Sequence, residues 1–197
     1  MIPIASIVEG DSEVVALPVL LRRLAGELVP AVTVQPLPPI RVRRDRFIQR
    51  EDEFRKQLLL AAAKSGEQGW ILIVLDSDDD CPAHLGPQLL ARAQKHVPHR
   101  RISVVLANRE FEAWFMAAAH SLQGARGFSV AVDEPIDAEA PRDAKGWMRK
   151  HMAGGVYREI LDQPAFAARI DLQLAQEKSR SFRKLCKEWQ THVQMRQ

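Results

Sequence analysis

The chain has 197 residues, 46% hydrophobic and 27% charged, with a net charge of +3 and an isoelectric point near 9.1. That composition excludes a disordered or collagen-like chain, and no apolar run approaches the roughly 18 residues of a membrane span. Cys81 and Cys186 are the only cysteines and share no ligand spacing, which leaves neither a disulfide scaffold nor a zinc ribbon in view. The first residues show no charged leader, so a cytoplasmic protein with no membrane association is expected.

Residues 2–8 read as a first strand, nearly all apolar. Glu9-Gly10-Asp11-Ser12-Glu13 follows, with Gly10 for a tight turn and Asp11 or Ser12 as a helix cap. The helix after it is expected to reach about Leu28, with a bend at Pro18. A second strand is predicted over 32–37, ending among Pro36, Pro38 and Pro39. Arg41, Arg43, Arg44, Arg46 and Arg50 come next, five arginines in ten residues. A helix over 51–64 places Phe54, Leu58, Ala61 and Ala62 on one face. A third strand starts at Trp70.

The stretch 70–80, WILIVLDSDDD, organises the chain. A continuous apolar run this short reads as a strand buried on both faces, as in a parallel sheet. It must end where the first carboxylate appears, because burying an unpaired charge costs several kcal/mol. Asp76 is thereby placed at the carboxyl edge of a central strand, where open α/β sheets bind ligands. Carboxylates about 4 Å apart repel by roughly 4 kcal/mol each at an effective dielectric near 20. Mg²⁺ or Mn²⁺, which favour oxygen ligands, would remove that cost. An acidic, solvated turn is the plain alternative.

A helix is expected over 82–95, and a fourth strand over 102–107. Four strands alternating with helices predict an α/β fold, a Rossmann-like, mostly parallel four-stranded sheet with helices on both faces. A helix opening at Arg109, a loop over 124–142, and helices over 143–152, 164–175 and 181–193 complete the reading. The chain is divided into a core at 1–120 and a helical extension at 121–197 packed on the same domain.

Glu9 closes the first strand, Asp76 and Asp78 the third, and Glu110 and Glu112 follow the fourth. In a parallel sheet these ends meet at one edge. The segments Val8-Glu9-Gly10-Asp11-Ser12-Glu13, with Leu17-Pro18, and Leu75-Asp76-Ser77-Asp78 resemble the glutamate and DxD motifs of the Toprim fold of topoisomerases, primases and OLD-family nucleases. Val8-Glu9-Gly10, the run from Asp76 to Pro82, the run from Arg109 to Phe115 and Ser181-Phe182-Arg183-Lys184 more closely resemble a bacterial family, domain of unknown function 4276, placed near those nucleases.

The resemblance implies a divalent-metal-dependent nuclease acting on DNA, or else RNA. Asp76 and Asp78 would bind Mg²⁺, helped by Asp80. Glu9 would be a general acid/base or a further ligand, and Glu13 would join it. Glu110 or Glu112 would hold a second ion, and Lys145 would stabilise a phosphoryl transition state. Arg41, Arg43, Arg44 and Arg46, and the helix start at Arg180, Arg183 and Lys184, are candidates for phosphate contacts. A separate ATPase partner and a role in phage defence are implied, since the chain carries no P-loop. A solvated loop or face is the alternative for both basic groups, a surface lysine for Lys145, and helix-dipole stabilisation for Glu9. Tyr157, the only tyrosine, is remote in sequence from these motifs, so no tyrosine nucleophile is expected. A non-catalytic metal- or partner-binding subunit remains open. A phosphatase fits less well, because Asp79 and Asp80 break its DxDx(T/V) pattern.

Overall fold

A computed structural model describes residues 1–28 and 30–194. The last three residues of the expected extension lie outside them. Five strands form one parallel sheet: β1 (Ile2–Val8), β2 (Val34–Pro36), β3 (Ile40–Arg41), β4 (Trp70–Asp76) and β5 (Arg101–Ala107). Their order is β2-β1-β4-β5, with β3 also on β1. Together with the helices this is a Rossmann-like α/β fold.

The sheet has one strand more than expected, and the proline-rich turn is the reason. β2 pairs with Ile2 to Ile4, and β3 pairs further along the same edge with Ile7 and Val8. Between them Pro38 and Pro39 offer no N–H to a ladder, so the edge is shared by two short pieces. Leu37 N–H donates to Ile4 O at 2.9 Å and Val42 N–H to Val8 O at 2.8 Å, which keeps the interrupted edge in register.

The continuous apolar run of β4 is divided between two layers. Trp70, Leu72 and Val74 face α1 (Asp11–Leu28), α5 (Ala113–Ala117), α7 (Glu159–Ala167), α8 (Leu172–Lys178) and α9 (Arg180–Gln194). Ile71, Ile73 and Leu75 face α2 (Arg44–Gln49), α3 (Glu51–Ser65) and α4 (Pro82–His96). Side chains alternate across a strand, so a strand covered on both faces must be apolar at every position. Phe166, Ile170, Phe182 and Trp189 belong to the same apolar cluster as Trp70, and the Trp70 and Trp189 rings meet edge-on at 5.7 Å.

Several expected helices differ in extent. α1 runs unbroken through Pro18. The arginine stretch contains α2. The segment opening at Arg109 is a turn before the short α5. The helix predicted over 164–175 is two helices: α7 starts at Glu159 and carries Pro164 inside, and Asp171 starts α8 by accepting the Leu174 N–H at 2.9 Å. α6 (Ala144–Lys150) begins after Asp143, whose side chain accepts the Gly146 N–H. No helix among the described residues is long and apolar enough to cross a membrane.

Candidate functional site at the carboxyl edge of the sheet

The parallel register gathers the strand-end acids. Ile7 pairs with Ile73, so the neighbouring ends of β1 and β4 carry Glu9 and Asp76 to the same edge, close enough for the Glu9 charge to bear on Asp76. Asp76 in turn pairs with Ala107, at the start of the turn that bears Glu110 and Glu112.

The turn after β1 is fixed by Glu13. Its carboxylate reaches back to the Gly10 N–H and also accepts from the Ser12 hydroxyl at 3.4 Å. This is the reciprocal half of a capping box, with the acid at the third helical position. A Cβ on Gly10 would lie 2.7 Å from a Glu13 oxygen, so a side chain there would push the carboxylate off this turn. Glu13, an expected metal ligand, is instead committed to starting α1.

The turns after β4 and β5 are laced together. Asp76 Oδ1 accepts the Phe111 N–H at 2.8 Å, and Ser77 Oγ accepts the Arg109 N–H at 2.8 Å. Asp78 N–H donates to Arg109 O at 3.0 Å. Asp78 and Arg109 have φ of 50° and 61°, the left-handed region, which costs a non-glycine residue about 1–2 kcal/mol. The cross-links hold both residues there.

Arg44 is a correction to the expected phosphate track. It is 9% exposed and lies under the acidic turn. Nε donates to Asp76 O at 2.8 Å and Nη2 to Ser77 O at 3.1 Å, while Asp80 Oδ2 is at 2.5 Å and Asp78 Oδ2 at 3.4 Å. The guanidinium fork suits this combination of carbonyls and carboxylates. Asp80 is thereby paired with protein rather than free for an ion. The neighbouring arginines differ: Arg41 pairs with Asp11 at 3.0 Å, and the exposed Arg43 and Arg46 have no ion pair among the described residues. They line a cleft of about 440 Å³ that includes Glu9.

Glu110 and Glu112 diverge, as neighbours two apart on a turn must. Glu110 accepts the Lys145 N–H at 2.9 Å and helps start α6. Glu112 is fully buried; one oxygen accepts from Gln163 Nε2 at 2.8 Å and from the Tyr157 hydroxyl at 3.2 Å, and the other has no partner among the described residues. Tyr157 thus reaches the site across 45 residues, contrary to its remoteness in sequence. It donates to a carboxylate, and burial together with Glu112 raises its pKa, so its hydroxyl stays protonated. Lys145 Nζ is 3.2 Å from Glu159, and Glu112, Glu159 and Asp76 raise its pKa against the opposing effect of burial.

The charges bear on one another strongly. Burial, followed by Asp78, pushes Glu9 up to about 7. Burial raises Asp76 well above the usual carboxylate range, reinforced by Glu13, Glu112 and Glu9. Burial lifts Glu112 to about 7, against the pull of Lys145. Glu9 receives no hydrogen bond from a described residue, and its buried Oε2 is an orphan. Among the described residues, no group of three or more histidine, cysteine or acidic side chains is arranged as a ready-made ion cage.

The second basic group serves other contacts. Arg183 donates to Gln176 O and Glu177 O at the end of α8. Arg180 pairs with Glu139, and Lys184 with Glu188.

The profile of a family described as domain of unknown function (DUF4276) matches residues 8–189. The chain belongs to this family. No curated protein and no solved structure matches it. In this DUF4276 chain the matched span includes Glu9, Asp76, Glu112 and Lys145, so the acidic edge lies inside the family region. Sequence reading missed Tyr157, Gln163 and Glu159. All three come from beyond α6, and nothing in their local pattern announces the contact.

Proposed function

We propose that this protein is a divalent-metal-dependent phosphodiester hydrolase acting on nucleic acid, a nuclease of the Toprim type. The observation that carries the reading is the convergence of Glu9, Asp76 and Glu112, with Lys145 among them, at the carboxyl edge of a parallel sheet. Three acids with raised pKa values and two buried oxygens without partners describe a site short of positive charge.

Glu9 and Asp76 would hold Mg²⁺ or Mn²⁺ through the orphaned Glu9 oxygen, and Asp78 and Glu112, which form no ready-made cage with them, would have to turn toward the ion to add oxygen donors. Such an ion supplies Lewis-acid polarisation of a phosphoryl oxygen and a more acidic water. A bound cation would keep Glu9 ionised despite its burial, and a carboxylate in that place accepts a proton from the attacking water. Lys145 stays charged and offsets negative charge growing on the phosphoryl oxygens. Arg41, Arg43 and Arg46 hold flanking phosphates in the cleft next to Glu9. Arg44 keeps the acidic turn in place. These 197 residues carry no P-loop motif, so an ATP-driven step, as in a phage-defence system, would be supplied from outside them, and the likeness to OLD-family nucleases favours an ATPase as that source.

One observation favours a second reading, a non-catalytic subunit. Arg44 already supplies a cation to Asp78 and Asp80, as an ion would.

The test is cleavage of labelled single- and double-stranded DNA and RNA with Mg²⁺ or Mn²⁺, alongside thermal melting with the same ions. The expected result is metal-dependent cleavage, reduced about 10²-fold or more in Asp76→Asn and Glu9→Gln, and a Tm raised by Mn²⁺ in the wild type but not in Asp76→Asn. A rise in Tm without cleavage selects the second reading. Neither effect would overturn both.

A further inference from the structure

We propose that the free edge of β5 is a docking groove for an extended segment of a partner protein, which joins the sheet as an additional strand. Among the described residues β5 pairs on one side only, with β4. Ser77 N–H donates to Ala107 O at 3.0 Å, and that bond sets the phase of the strand. Ser103, Val105 and Ala107 turn their backbone groups to β4, so Ile102, Val104 and Leu106 turn theirs away. Asn108, next in that series, gives its N–H to Ser181 Oγ at 3.1 Å. No described residue outside the sheet bonds the backbone of Val104 or Leu106.

These two residues are only 5% and 4% exposed. Backbone groups that are recessed and unpaired are rare in folded proteins. Here they form the floor of a groove of about 510 Å³ between α4 and α9. Pro82, Gly86, Pro87 and Leu90 make one wall, and Ser181 and Lys184 the other. None of Glu9, Asp76, Glu112 or Lys145 lines it, so the proposal stands apart from the hydrolase reading.

The occupant follows from the groove's chemistry. Donors and acceptors that repeat every second residue, about 6.6 Å apart, match an extended backbone. From Val104 to Asn108 is about 13 Å, room for four or five residues. The apolar wall suits alternate aliphatic side chains. Arg180 and Lys184 line the opposite rim with one acid, Glu139, which pairs with Arg180, while Lys184 pairs with Glu188 outside the groove; the lining keeps a net charge of +1, which favours acidic residues on that side. A second copy of this chain is a poor fit: its own β5 edge is recessed behind α4 and α9, so the two edges would not meet.

The probe is a blocked hexapeptide of alternating valine and aspartate, titrated into the full chain and followed by backbone amide NMR. Saturable binding is expected, with the Val104 and Leu106 amides shifting most. N-methylation of alternate peptide amides, tried in both registers, should weaken binding at least tenfold in one of them. Gly86→Leu should abolish binding while leaving Tm unchanged or higher, because a Cβ at Gly86 meets nothing within 4 Å and glycine is a poor helix former. No binding at millimolar peptide, shifts confined to another surface, or equal affinity for the N-methylated forms would overturn the proposal. So would dimerisation through β5 seen by sedimentation.

Discussion

Glu9 and Glu112 bind their protons more tightly in the folded chain than in the unfolded one, and Glu188 binds its proton less tightly. For Glu9 and Glu112 the principal cause is burial. For Glu188 burial is outweighed by hydrogen bonds from His192, Lys184 and Ser103, which hold its carboxyl down to about 2. The signs are opposite. A raised carboxyl contributes stability below its unfolded value of 4.5, and that stability is lost as pH rises through about 7. A depressed one contributes above 4.5, and that part is lost as pH falls through about 2. In EDTA, Tm is therefore expected to peak near pH 4.5 and fall on both sides. Glu9→Gln should flatten the neutral limb and Glu188→Gln the acid limb; a Tm rising steadily from pH 5 to 8 would contradict this. Glu9 and Asp76 were legible as site candidates because an acid directly after an apolar strand has one place to go. Arg44 was not: the same guanidinium serves a phosphate or a carbonyl, and only the tertiary path of α2 decides. Glu13 was half legible, since its spacing from Gly10 is also that of a capping box.

Among the elements, Ser181 at the start of α9 ties three segments together. Its Oγ accepts from Trp114 Nε1 at 2.8 Å and from Asn108 N–H at 3.1 Å. Ser181→Ala strands a buried indole donor and the Asn108 backbone donor just after β5. We expect a loss of about 2 kcal/mol or more in urea unfolding, given about 1–3 kcal/mol for each unpaired buried group. A loss below 0.5 kcal/mol would mean that water replaces the hydroxyl at both donors. Strands β1, β4 and β5 were legible almost to the residue, because both faces are covered and the apolar run stops with the strand. β2 was legible too, inside the strand expected over 32–37, but β3 was not, since a two-residue strand just after two prolines has no period to read. The break between α7 and α8 was legible in principle at Asp171, whose capping role was obscured by reading Pro164 as a helix start.

For the molecule as a whole, the apolar layer over α1 is continuous from the sheet to the last helix. Trp189→Ala should therefore destabilise the entire chain, by about 3–5 kcal/mol. Far-ultraviolet circular dichroism and the fluorescence of the other tryptophans should still report one shared transition. An early, separate loss of helix would show that the tail folds independently. The order of the sheet bears on how the chain is made. β1 precedes the other strands of this sheet in the chain, yet it occupies an interior position, and its partner Ile73 follows Ile7 by 66 positions. Until β4 has been synthesised, one side of β1 has no native neighbour. Parallel pairing over such a separation is slow and leaves strand edges open to the wrong partners. The nascent chain must therefore shelter a seven-residue, nearly all-apolar segment from Val8 until Trp70 has been added, a task for α1 folding back locally or for a chaperone.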